Sequence, residues 1–138
     1  MKRRVKAAAL LVSCFGALLV VEAIGFWVVQ RRFDTEHFVR HALGALLWFL
    51  VAWGLVLGRR WAWWVVIGPG GALSVLGVLV LVFLLFLPAE RVAVINAIGV
   101  GSLAIPLGPL SVAALAGAVA ILSTREARDA FFPPPKQD

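Results

Sequence analysis

Apolar residues gather into four long runs, at 7–29, 38–57, 61–87 and 92–122, and most charged residues fall in the short stretches between and beyond them. The third run, WAWWVVIGPGGALSVLGVLVLVFLLFL, follows Arg59-Arg60 directly and carries no charged residue. As a helix it would be about 40 Å long, against a hydrocarbon core of about 30 Å. A soluble domain has nowhere to bury such an element on every side, so the run predicts a membrane span. The first run is interrupted only by Glu22. The second would be about 30 Å long as a helix. The fourth is too long for one straight span and contains Pro106 and Pro109 within IPLGP, which should kink or break it.

The polar stretches read as turns. Thr35, in QRRFDTEH, is placed to cap the second helix, with Phe38 opening its apolar side. Gly58-Arg59-Arg60 is a short basic turn, and Pro88 stops the third helix before Glu90 and Arg91. The predicted fold is all-α: an up-down-up-down bundle of four transmembrane helices (1–122), with helices 3 and 4 kinked at Gly/Pro, and a polar, proline-rich cytoplasmic tail (123–138). The tail begins STREARDAFF, enough for a short interfacial helix, and Pro133-Pro134-Pro135 then forces an extended, loose end. Lipid is as apolar as a leucine side chain, so helix contacts must rely on small residues. The sequence offers Ser13, Gly16 and Ala17, then Gly70 and Ser74, then Ala97/Gly101, Ala113/Gly117 and Ala114/Ala118.

Composition agrees with this pattern. Hydrophobic residues make up 62% of the chain and charged residues 14%, where soluble domains run nearer 45–50% and about 25%. The net charge of +6 is therefore a matter of orientation rather than of nucleic acid. With the N-terminus cytoplasmic, the inside carries nine cations: Lys2, Arg3, Arg4, Lys6, Arg59, Arg60, Arg125, Arg128 and Lys136. The outside carries four: Arg31, Arg32, Arg40 and Arg91. That asymmetry predicts both termini inside a bacterial-type inner membrane, with Trp27 at the outer interface and Trp61, Trp63 and Trp64 at the inner one. The basic start and the Leu11-Val12-Ser13-Cys14 stretch have the look of a lipoprotein signal. The apolar run continues well past Cys14, however, and reads as a retained span.

Chemistry-bearing residues are few. Cys14 is the only cysteine, so neither an internal disulfide nor a cysteine-based metal site is available. No Ser-His-Asp or Cys-His arrangement and no Walker spacing is present. Glu22 is the one acid well inside a span, in the outer half, where a carboxylate must be protonated, paired or facing water. Arg40, His41 and Asn96 fall at compatible depths, so Glu22, Arg40, His41 and Asn96 form a candidate polar pocket, either a cation- or proton-handling site or a structural clasp. His37 and His41, four apart, share a helix face but specify no third ligand, and no metal or cofactor is expected. Gly68, Pro69, Gly70 and Gly71, with Pro106, Gly108 and Pro109, form a second candidate. Both are helix breaks expected at similar depth in the inner half, as in transporters that expose backbone groups to ions.

The segment VEAIGF resembles the first-helix signature of small multidrug resistance exporters, A-E-x-I-G, at Glu22, Ile24 and Gly25, and the four-span size is similar. The resemblance would imply a glutamate that binds a drug cation and protons in an antiparallel dimer. The strong Lys/Arg asymmetry and the absence of that family's third-helix packing motif depart from its pattern, and the chain is not assigned to it. The expectation is a small polytopic membrane protein without catalytic motif, acting as a structural, accessory or interaction subunit in the lipid bilayer, alone or in an oligomer. The alternative is a small proton- or cation-coupled transporter or channel subunit using Glu22.

Overall fold

The computed structural model describes residues 3–30, 35–88, 90–91 and 104–133, and among these it is all-helical. Helix α1 spans Arg3–Gln30 and α2 Thr35–Val56. The third run opens with α3, Arg60–Val65, passes through a π-helical turn, Val66–Gly70, and continues as α4, Gly71–Leu85. Helix α5 is Ala104–Leu122 and α6 is Arg125–Phe131. Three stretches, Arg3–Val28, Thr35–Val56 and Arg60–Leu85, are long and apolar enough to cross a membrane; Leu107–Leu122 with Arg125–Phe131 is a further, bent candidate. The first part of the fourth run, 92–103, with Ala97 and Gly101, lies outside the described residues.

Local chemistry explains the boundaries. Helix α2 begins three residues before the expected 38, taking in Thr35 and Glu36. Glu36 suits the positive helix start and reaches Arg40 one turn on, at 2.6 Å. The helix ends where Gly58 adopts φ +68°. There the Gly58 N–H donates to the Leu55 carbonyl and the Arg59 N–H to that of Gly54, the paired bonds of a glycine-terminated helix. Pro69 accounts for the π turn: it has no N–H to donate, and its ring would collide with the carbonyl four residues back in a regular α-helix. Ser74 Oγ donates to the Gly70 carbonyl at 2.8 Å, satisfying an acceptor at the widened turn.

The long helices pack antiparallel, through small residues. A Cβ added at Gly16 would lie 3.4 Å from the Ala45 carbonyl and the Phe49 ring, so α1 and α2 meet closely there. Gly77 accommodates Val112, Gly70 lies against Leu115 and Trp48, and Gly117 receives Leu11. Gly70, Ser74, Gly16 and Ala118 are buried as the small-residue pattern predicts, whereas Ala17 and Ala113 are exposed. Tight packing is concentrated at one end, where α1 starts and α5 finishes. Val5, Ala8, Val12, Leu55, Ala62, Trp63, Val66 and Leu122 form a continuous core there. Outside that core the surface is oily. Helix α4 buries only Ser74 and leaves Leu76, Leu79 and Phe83 exposed. Such a helix, apolar all round, needs a non-aqueous neighbour on its open faces.

The largest departure from expectation is the tail. After Leu122 the chain bends by 75° and α6 lies against the packed end. Ala127 and Phe131 are buried in the core beside Val5 and Leu55. Arg4 pairs with Glu126 at 3.0 Å, and Arg60 Nε donates to the Phe131 carbonyl at 3.0 Å. The Arg60 guanidinium also sits 5.3 Å from the centre of the Phe132 ring. The bend leaves few carbonyls of α5 without donors. Ser123 Oγ donates to the Val119 carbonyl, Thr124 Oγ1 to that of Ile121, and the Trp63 indole to that of Leu122. The short helix expected of STREARDAFF is present over Arg125–Phe131, but docked on the core; the loose end expected at Pro133-Pro134-Pro135 lies, beyond residue 133, outside the described residues. Of the three tryptophans that open the third run, Trp63 is buried, while Trp61 and Trp64 remain exposed.

Candidate functional site

The opposite, far end holds the polar cluster centred on Glu22. Glu22 projects from α1 and His41 from α2, and Glu22 Oε2 stands 3.9 Å from His41 Nε2. That is an ion-pair distance and too long for a hydrogen bond. His41 Nδ1 lies 2.9 Å from the His37 carbonyl oxygen, one turn earlier. A carbonyl can only accept, so Nδ1 carries the proton and Nε2 is the atom left facing the carboxylate.

An aromatic stack extends the cluster. The His37 ring lies 4.1 Å from that of His41 and stacks at 4.1 Å on Phe26 of α1. Phe26 follows Glu22 by four residues, so both are on the α1 face that meets α2. The expected sharing of one face by His37 and His41 is thus realised as ring contact. Phe26 was not among the sequence candidates, although its spacing from Glu22 was the available signal. Arg40 is not in the cluster. Its guanidinium bonds Glu36 on the exposed side of α2. Asn96 lies outside the described residues. Of the candidate pocket, the described structure therefore brings together Glu22 and His41, and adds His37 and Phe26.

The two helix breaks do not form a common site. Trp63 meets Leu122, Gly70 meets Leu115 and Gly77 meets Val112, which fixes the antiparallel register. In that register Pro109 lies beside residues near 80, roughly 15 Å along the helix from Pro69. The depths expected from counting in from Arg60 and Arg91 were similar; the register separates them. Around Pro69, Gly70 is buried against Leu115, whereas Gly68 and Gly71 face open space. Gly108 is likewise open, and Pro109 sits within α5 on an exposed position. Pro106 is part of the first turn of α5, where a missing N–H is tolerated.

A second polar feature was not foreseen. Ser123, Arg125, Arg128, Asp129 and Phe132 line an open cleft on the outer side of α6, at the packed end. Its sequence signal was the spacing of Arg125, Arg128 and Asp129, which puts them on one helical face. Among the described residues no group of three or more His, Cys, Asp or Glu side chains is arranged to hold a metal ion. No protein-family model, no curated protein and no solved structure matches this chain.

Proposed function

We propose that the protein is a small polytopic membrane protein that acts as a structural, accessory or interaction subunit, with four spans, bends at the Gly/Pro positions of the third and fourth, and both termini cytoplasmic in a bacterial-type inner membrane. One observation carries this reading: the packed end is filled and covered. Val5, Val12, Leu55, Trp63 and Leu122 occupy its interior, and α6 lies across it through Phe131 and Ala127. A carrier needs polar groups along its route at both depths. Here the interior polar groups described between the two ends, Ser13 and Ser74, have donated their hydroxyls to carbonyls of their own helices, and the ionisable pair, Glu22 with His41, sits at the far end alone. The reading is tested by purification in gentle detergent followed by native mass analysis. A stoichiometric complex with a second membrane protein is expected. A homogeneous preparation of this chain alone, under conditions that preserve other membrane complexes of the same cells, would overturn it.

A second reading rests on the Glu22–His41 contact. A carboxyl group facing an imidazole at 3.9 Å, beside the His37 and Phe26 rings, is suited to taking up a proton or an organic cation from the far side. On this reading Glu22→Gln abolishes proton-coupled flux in reconstituted vesicles while the protein stays folded. Unchanged flux in the variant would remove it.

A further inference from the structure

The cleft on α6 has a composition that the accessory-subunit reading does not use. Its cations, Arg125 and Arg128, are one turn apart on the exposed side of the helix. Among the described residues neither guanidinium is engaged in an ion pair, whereas neighbouring Glu126 is taken by Arg4. Ser123 has spent its hydroxyl proton on the Val119 carbonyl, so toward the cleft its oxygen can only accept. Asp129 supplies a further acceptor, and the Phe132 ring an apolar wall. The site thus presents two forked cationic donors beside two acceptors.

Position restricts what such a site meets. Helix α6 turns 75° from α5, with Ala127 and Phe131 facing the core and the cleft facing outward. Arg3, Arg4, Arg59 and Arg60 lie at the same end. If the long helices cross a bilayer, this end lies at the headgroup layer. There a negative bilayer surface attracts all of these arginines alike, whereas a single headgroup is held only by the cations that line the cleft. A bare phosphate needs only the donors. A headgroup carrying both a phosphate and free hydroxyls also employs the acceptors, Asp129 and Ser123.

We infer that the cleft of Ser123, Arg125, Arg128, Asp129 and Phe132 binds the headgroup of an anionic phospholipid, its phosphate on the two arginines and a headgroup hydroxyl on Asp129. This rests on the membrane-spanning part of the reading above and is independent of whether a partner subunit exists. Arg125 and Arg128 supply the planar fork that matches phosphate oxygens, and the Phe132 ring gives the cleft an apolar wall.

The test uses the full chain in detergent, with native mass analysis of lipid retained from equimolar phosphatidylglycerol, phosphatidic acid and phosphatidylcholine. Phosphatidylglycerol is expected to be retained over phosphatidylcholine. Arg125→Gln and Arg128→Gln should each lower its retention about tenfold, the loss of one charge-assisted hydrogen bond. Arg59→Gln, at the same end but outside the cleft, should change it by less than twofold. Asp129→Asn should narrow the preference for phosphatidylglycerol over phosphatidic acid. Equal retention of phosphatidylglycerol and phosphatidylcholine overturns the inference, and so does an Arg59→Gln loss as large as that of Arg125→Gln. If millimolar inorganic phosphate displaces the lipid at constant ionic strength, the site is one for free phosphate and the lipid assignment falls. Flotation of the chain with phosphatidylcholine vesicles separates the two premises. A chain that floats but does not discriminate retains its spans and loses this site, and one that does not float loses both.

Discussion

At the scale of single residues, the far-end cluster illustrates what a helix periodicity decides and a list of residues does not. Glu22 stands out in the sequence because it is the only acid deep in an apolar run, and that much is legible without coordinates. Its partner is not. Arg40 and His41 are adjacent, so on a helix they point about 100° apart. The rotation of α2 turns His41 to α1 and leaves Arg40 with Glu36. If the contact is a clasp, a double-mutant cycle between Glu22→Gln and His41→Gln should give a coupling of about 0.6 kcal/mol, the usual size for polar contacts between apolar helices. Thermal unfolding in detergent measures it; strictly additive effects would sink the clasp. The glycines give a sharper contrast. A Cβ on Gly54 would fall 2.8 Å from the Ala62 Cβ and 2.7 Å from the Trp61 ring. Ala62 has no rotamer with which to retreat, so Gly54→Ala should destabilise by about 1–3 kcal/mol. Gly108→Ala meets nothing within 4 Å and should be neutral or slightly stabilising in the same melt.

At the scale of elements, the boundaries that the sequence made legible are those set by backbone chemistry. The Gly58 turn follows from the need for a left-handed residue after α2, and Pro69 marks an interruption in the third run. The kind of interruption was not legible. A proline in a long apolar helix can bend it, break it or be absorbed by one widened turn, and here Val66–Gly70 takes the last course. Pro69→Ala restores the missing donor, so amides from Val65 to Gly71 should exchange with solvent deuterium more slowly in the variant. Unchanged exchange would mean that packing against Leu115, rather than the proline, imposes the π turn. The docking of α6 was hidden for a different reason. Its buried positions, Ala127 and Phe131, are one pair at four-residue spacing in a polar stretch, too weak a pattern to separate a docked helix from a loose one. Removing the larger anchor should reverse the docking. Phe131→Ala deletes a buried ring worth about 3 kcal/mol or more, about a hundredfold in the docked-to-undocked ratio. Tryptic cleavage at Arg125 and Arg128 should accelerate accordingly while α1 to α5 stay intact. An unaltered cleavage rate would mean that Arg4 and Arg60 hold the helix by themselves.

At the scale of the whole molecule, two contacts join chain segments far apart in sequence. Arg4 meets Glu126, and Arg60 meets the Phe131 carbonyl. They bring the start of α1, the turn before α3 and helix α6 to one end, and put Glu22 and His41 at the other. That arrangement returns the chain to its starting end after α5. Arg3, Arg4, Arg59, Arg60, Arg125 and Arg128 are gathered there, so part of the charge asymmetry read along the chain becomes an asymmetry between the two ends among the described residues. The orientation proposed above puts the basic end on the cytoplasmic side, as Lys/Arg asymmetry predicts for ends that face opposite sides of a membrane. Because Cys14 is the only cysteine, a Cys14→Ala background gives a clean measurement. A cysteine at Thr35 and one at Ala130, both exposed positions, should respond oppositely to a membrane-impermeant maleimide. Thr35→Cys is expected to label in intact cells and Ala130→Cys only after permeabilisation. Reversed labelling would keep the spans and invert the orientation. Labelling of both from the same side would contradict a crossing by α5 and leave three spans, with α6 and its cleft on the same side as Thr35.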